Sequence, residues 1–269
     1  MNFFKWLFNR KQKNVKLGLA LGSGGAKGFA HLGALKAFEE NGIEFDIIAG
    51  SSIGSIVGAF YADGYTSTDI FELLKKVDAN DVKNFFMMNM DTCGLMTVID
   101  KGIGYKNIEE LKKPFRAIGT QVDTGKEKVF SSGSVAKALC ASSSYPPFFK
   151  PVIIDNVRYV DGAFTNSVPA DVVKGLGADY VVGIDLANHE AKPSFLSRIF
   201  PTYKSEITKP WQKGYEYSNV MLHPELKEYK STSFQYALAI YDIGYYTAQQ
   251  MMPKIKEDIR LIKKGKKLS

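Results

Sequence analysis

The stretch Phe45-Asp46-Ile47-Ile48-Ala49-Gly50-Ser51-Ser52-Ile53-Gly54-Ser55-Ile56-Val57-Gly58-Ala59-Phe60-Tyr61 decides how the rest of the chain is read. Its first five residues are apolar and rich in β-branched side chains, as in a short buried strand. Its last seven carry the small and apolar residues of a buried helix. Between them stands Gly50-Ser51-Ser52-Ile53-Gly54, a Gly-X-Ser-X-Gly pentapeptide. Strand, tight turn and helix in that order are the layout of a nucleophile elbow. Glycines permit a strained turn that lifts the central side chain clear of the backbone, and the helix that follows aims its positive end at the same point. Ser52 is therefore the candidate nucleophile. The same five residues also suit an ordinary glycine-rich turn capping a helix, so the wider sequence must choose.

A second glycine cluster, Gly22-Ser23-Gly24-Gly25-Ala26-Lys27-Gly28, follows the apolar run Leu17 to Leu21 and opens a helical pattern with Phe29, Leu32, Leu35, Ala37 and Phe38 on one face. Exposed backbone N–H groups at such a turn bind anionic oxygen, either a nucleotide phosphate or the oxyanion of a tetrahedral acyl intermediate. Spacing argues against the nucleotide. A Walker loop needs Ser or Thr after Gly-Lys, but Lys27 is followed by Gly28 and Phe29. A dinucleotide fingerprint counted from Gly22 needs glycine where Lys27 stands. What remains is a nucleophile and an anion-binding turn close together, as serine acyl transfer requires.

The serine needs a base, and the three histidines are His31, His189 and His223. His31 falls inside the first helix and reads as a packing residue; His189 lies in a polar stretch and His223 precedes a proline. A carboxylate is the alternative. Val157-Arg158-Tyr159-Val160 alternates as a strand and ends in Asp161-Gly162-Ala163, whereas the apolar strand Tyr180 to Ile184 ends in Asp185. Both aspartates stand at strand ends, and these patterns leave both open.

The motifs together resemble the patatin-like phospholipases, in particular their short bacterial members. Ser23-Gly24-Gly25-Ala26-Lys27-Gly28 is similar to the family's oxyanion segment, Gly50 to Gly54 to its elbow, and Asp161-Gly162-Ala163 to its Asp-Gly-Gly or Asp-Gly-Ala element, all in the family's order. The likeness extends through Phe115 to Thr120, Ala141-Ser142-Ser143-Ser144-Tyr145-Pro146-Pro147-Phe148-Phe149 and Asn166 to Pro169, covering roughly residues 17–250. The resemblance implies a three-layer α/β/α fold and a Ser–Asp dyad in which Ser52 attacks an ester carbonyl and Asp161 takes its proton without a histidine. It also implies an oxyanion hole from the backbone of Gly24, Gly25 and Ala26, a lipid or ester substrate and no cofactor. Ser23 stands where glycine is frequent and Lys27 where arginine is more usual, which keeps the charge but loses the planar fork. A transacylase would use the same residues with a different acceptor, and a lipid-binding or regulatory protein would keep the fold with little turnover.

Strand-like segments near 17–22, 45–50, 115–124, 126–131, 150–155, 157–161 and 180–186 alternate with helical stretches near 28–41, 53–63, 67–77, 134–144 and 168–176. That rhythm predicts an α/β fold with a mainly parallel sheet. The length of 269 residues and 45% apolar content suit one such catalytic domain, over 17–253. Residues 78–107, with Phe85-Phe86-Met87-Met88, break the rhythm and read as a cap over the site; 188–215 read as a long irregular loop. A helix beginning after Ser231 is expected to kink or break at Pro253.

The net charge of +7 is uneven: residues 1–16 carry +5 and residues 254–269 carry +5, which leaves −3 between them. Both ends read as basic tails. Phe3, Phe4, Trp6, Leu7 and Phe8 beside the first cluster suggest peripheral contact with an anionic membrane, and no nucleic-acid recognition element accompanies the charge. No apolar stretch is long enough to span a bilayer or to act as a classical signal, which points to a cytoplasmic chain. Cys93 and Cys140 do not make a disulfide framework, and no Cys/His cluster suggests a metal. Oligomeric state is not written in the sequence.

Overall fold

A computed structural model describes residues 14–75, 93–187 and 209–268. Its centre is an eight-stranded sheet built from β1 (Leu17–Leu21), β2 (Ile47–Ser51), β3 (Phe115–Gln121), β4 (Glu127–Phe130), β5 (Val152–Ile154), β6 (Val157–Asp161), β7 (Tyr180–Ile184) and β8 (Val220–Leu222). The order is β5-β6-β3-β2-β1-β7-β8, with β4 also on β3. Strands β3, β2, β1, β7 and β8 run parallel, while β4, β5 and β6 form antiparallel pairs.

The central strands are buried on both faces, and their side chains alternate between two apolar layers. Leu17, Leu19, Leu21, Ile48, Tyr180, Val182 and Ile184 enter the main core, whereas Ala20, Ile47, Ala49 and Val181 enter a smaller one with Val168, Ala170 and Val173. The larger layer is covered by α1 (Phe29–Glu40), α2 (Ile53–Ala62), α3 (Ser67–Lys75), α4 (Cys93–Ile103), α5 (Val135–Ser142) and α8 (Ala237–Lys263); the smaller by α6 (Ala170–Gly175), against which α7 (Gln212–Tyr217) packs. This is the expected three-layer α/β/α arrangement with a mainly parallel sheet.

Two expectations fall partly outside the described residues, and the one at Pro253 is corrected. Residues 76–92, including Phe85 to Met88, lie outside the described residues, but the remainder of the segment read as a cap contains α4, whose Ile99 and Ile103 are buried in the main core. Of the long loop read at 188–215, residues 188–208 lie outside the described part, and Gln212 onward is helical. Helix α8 does not stop at Pro253 but runs through it to Lys263. A proline inside a helix costs about 3 kcal/mol. Here the ring is exposed while Met252, Ile255 and Ile259 bury the opposite face on either side of it, so packing holds the helix past the missing hydrogen bond. Residues 254–263 of the basic segment are consequently the packed end of α8 rather than a separate tail. No described helix is long and apolar enough to cross a membrane.

Candidate active site

Sheet pairing brings the two strand ends of interest together. On β3, Ser51 of β2 is registered with Ile118, and Asp161 of β6 with the next residue, Gly119. Strand β4 pairs with Ala117 to Thr120 and so occupies the other edge of β3. The parallel β2 and antiparallel β6 therefore share one edge and meet end to end, and the residues at their tips face each other. Ser52 Oγ donates to Asp161 Oδ2 at 2.7 Å.

Ser52 sits at φ 55° and ψ −128°. A side chain is rarely found there, and such strain, of about 1–3 kcal/mol, persists only where the surroundings impose it. The surroundings do so: the Ser52 carbonyl accepts from Ser55 N at 2.8 Å and Ser55 Oγ at 2.6 Å, fixing the first turn of α2. Gly50 and Gly54 clasp the elbow, since a Cβ on Gly54 would lie 2.2 Å from the Leu21 carbonyl oxygen and one on Gly50 2.2 Å from that of Gly54.

Asp161 is 1% exposed. Burial pushes its carboxyl up to about 7, against the lowering pull of the Ser52 hydroxyl and the Ala163 N–H. Ala163 N donates to its Oδ1 at 2.8 Å, and Thr120 Oγ1 donates to its carbonyl at 2.9 Å. Gly162 lets the end of β6 close on both neighbours, because a Cβ there would stand 2.4 Å from the Ile118 carbonyl oxygen of β3 and 2.6 Å from Ser51 Oγ of β2. A carboxylate with this environment is a far better proton acceptor near neutrality than an ordinary aspartate of pKa ~3.9.

The glycine loop lies against the elbow, with Gly28 touching Ile53 and Gly54 touching Gly22. Gly25 has φ +59°, and a Cβ on it would meet the Ser231 carbonyl oxygen at 2.5 Å, so both backbone and space require glycine. The N–H groups of Gly24 and Gly25 make no hydrogen bond to other described residues. Ala26 is a correction to the expected oxyanion donors, because its N–H is taken by the Ser231 carbonyl at 2.8 Å. Ser23 N donates to the Ser167 carbonyl at 3.1 Å, which leaves Ser23 a structural place in the loop. Lys27 is lowered from the usual lysine range by partial burial, which Asp185 and Glu225 oppose.

The two described histidines make their bonds away from the Ser52–Asp161 pair. His31 is fully buried and its Nε2 bonds the Gly22 carbonyl at 2.7 Å, holding the start of the glycine loop; burial pushes it down to about 4, so it is neutral at pH 7. His223 Nδ1 lies 3.4 Å from the Tyr215 hydroxyl, and His189 is outside the described residues. Tyr145, in sequence one residue of the stretch Ala141 to Phe149 that carries the family likeness, stacks on Phe164 at 5.0 Å; burial, then the nearby Asp161 charge, raises its hydroxyl. A basic hollow forms where the C-terminal end of α8 meets the end of α1. There Lys256, Arg260, Lys263 and Lys264 line a hollow of about 290 Å³ with Ile43 and Ile259.

Comparison with known proteins agrees with this architecture. The chain is 27% identical over 297 residues to the lysophospholipase nte1 of Aspergillus fumigatus, covering 95% of this chain and 19% of that protein. It is 31% identical to the patatin-like phospholipase domain-containing protein 7 of Rattus norvegicus, over 65% of this chain and 14% of that one. The chain thus spans less than a fifth of either relative. Among solved structures, VipD from Legionella pneumophila superposes with a TM-score of 0.57 at 13% identity, covering 90% of this chain and 67% of that one. ExoU of Pseudomonas aeruginosa, in its complex with SpcU, gives 0.50 at 16% identity over 91% and 52%. The family profile described as patatin-like phospholipase matches residues 19–174. The chain belongs to the patatin-like phospholipase family.

Proposed function

We propose that the protein is a serine lipid acyl hydrolase that cleaves carboxylic esters through an acyl-Ser52 intermediate, with Asp161 as its base. The observation that carries this reading is the 2.7 Å hydrogen bond from Ser52 Oγ to a buried carboxylate on a strained elbow. In the acylation half, Ser52 Oγ attacks the ester carbonyl as its proton passes to Asp161 Oδ2. The Gly24 and Gly25 N–H groups stabilise the oxyanion, and the departing alcohol takes the proton from Asp161. In the second half, water gives its proton to Asp161 and attacks the acyl carbon, and the proton then returns to Ser52 Oγ as the carboxylic acid leaves. A base at about 7 suits both transfers, since it accepts a proton and gives it back near neutral pH. Family membership and the lysophospholipase names of relatives support a lipid ester as substrate.

The test is hydrolysis of short-chain p-nitrophenyl esters and mixed phospholipid vesicles by wild type, Ser52→Ala and Asp161→Asn, with folding followed by circular dichroism. Turnover that vanishes in both folded variants is expected. Undiminished turnover in Ser52→Ala, or none in the wild type, contradicts the reading, and acyl transfer to an added alcohol in preference to water makes the enzyme a transacylase.

A further inference from the structure

The serine-rich turn Ala141-Ser142-Ser143-Ser144 has no role in the chemistry above, yet it touches both halves of the pair. Ser52 N–H is in an awkward place: β2 has ended at Ser51, and the first residues of a helix have no carbonyl behind them to bond. A buried donor left this way costs about 1–3 kcal/mol. Ser142 Oγ accepts it at 3.0 Å. Two residues further on, the Ser144 carbonyl accepts Asp161 N–H at 3.1 Å.

We propose that Ser142 and Ser144 form a bracket that sets the separation of nucleophile and base, with Ser142 as a positioning residue; this rests on the Ser52–Asp161 reading above. The bracket is stiff. Ser144 Oγ donates back to the Cys140 carbonyl at 2.7 Å, Ser143 N bonds the Leu139 carbonyl at 3.0 Å, and Leu139, Cys140 and Ala141 are fully buried at the end of α5. One short piece of chain thus grips the backbone of Ser52 at one end and that of Asp161 at the other. A serine placed at a helix end only to satisfy its own turn bonds the carbonyl four residues back, as Ser144 does. Ser142 is also fully buried but reaches across the chain to the elbow. Without that acceptor the strained Ser52 backbone is free to rotate, and the hydroxyl loses its aim at Asp161.

The test compares Ser142→Ala and Ser142→Thr with wild type, using p-nitrophenyl butyrate, thermal unfolding and the pH dependence of kcat, with Ser52→Ala and Asp161→Asn alongside. Ser142→Ala is expected to fold, to lose roughly 10- to 100-fold in kcat with KM within about 2-fold, and to be largely rescued by Ser142→Thr, which keeps the oxygen. The pH midpoint of kcat is expected to move upward, because the Ser52 hydroxyl is one of the groups that lower Asp161 against burial. A purely structural serine would not move that midpoint. Wild-type kcat and an unmoved midpoint in folded Ser142→Ala, or a loss that threonine does not restore, overturn the bracket. Should Ser142→Ala fail to fold, Ser142→Cys, of similar size with a weak sulfur acceptor, takes its place with the same expected loss. Retained turnover in Ser52→Ala or Asp161→Asn would instead overturn the dyad itself.

Discussion

Asp161 and Asp185 are near twins in sequence and opposites in place. Each ends a strand, each is 1% exposed, and each caps the turn that follows by accepting the N–H two residues on, from Ala163 and Ala187 respectively. Asp161 gives its other oxygen to Ser52, whereas Asp185 gives its other oxygen to the Tyr215 hydroxyl at 3.1 Å. The cause is strand order. Strand β7 lies beyond β1, two positions from β2, or about 10 Å at the usual strand spacing, while β6 runs antiparallel into the tip of β2. Burial and local turn chemistry are shared by the two carboxylates; the sheet decides which one meets Ser52.

The largest test of that difference exchanges each carboxylate for an amide. Asp161→Asn is expected to lose about 10²–10⁴-fold in kcat, the range for a general base, whereas Asp185→Asn stays within about 10-fold of wild type on the same ester. Equal losses would erase the distinction. Next comes the glycine turn proposed as the oxyanion hole. Gly25→Ala forces a side chain onto φ +59° and against Ser231, and roughly 10²–10³-fold in kcat should go with the displaced donor, read with KM in steady-state assays.

The pH dependence sharpens the comparison further. With Asp161 as the proposed base, kcat should rise with pH through about 7 and fall below it, a midpoint that Asp185→Asn leaves in place. The smallest effect is on stability. Because the folded carboxyl is raised above its unfolded value of ~3.9, the folded state holds this proton more tightly. Asp161's contribution is therefore fully present below about pH 4 and is lost as pH rises through about 7. Thermal unfolding of Asp161→Asn at pH 5 and pH 8 should lack that part of the wild-type decline.

The elements were legible where periodicity was strong. The strand runs ending at Leu21, Ser51, Asp161 and Ile184, and the helices after the two glycine turns, stand close to where alternation and helical spacing place them. Strand β8 escaped notice because Val220-Met221-Leu222 is too short to show a period. Pro253 misled because local propensity there is overruled by the buried Met252, Ile255 and Ile259. At the site, Ser52 was readable from its pentapeptide together with the second glycine turn at Gly22 to Gly28. Asp161 needed its likeness to a family, since strand order is not written in local sequence. Ala26 looked like a third oxyanion donor until Ser231, over two hundred residues away, proved to occupy it. Ser142 gave no signal of its own, because a buried serine near a helix end is ordinary until its partner is known.

The most direct measurement is the rate at which a fluorophosphonate labels the protein, with the modified residue mapped by mass spectrometry, across pH 5–9 in wild type and Asp161→Asn. A single adduct on Ser52 is expected, formed at a rate that rises through about pH 7 in wild type and is slow and flat in Asp161→Asn. An adduct elsewhere, or equal rates in the two proteins, would contradict it.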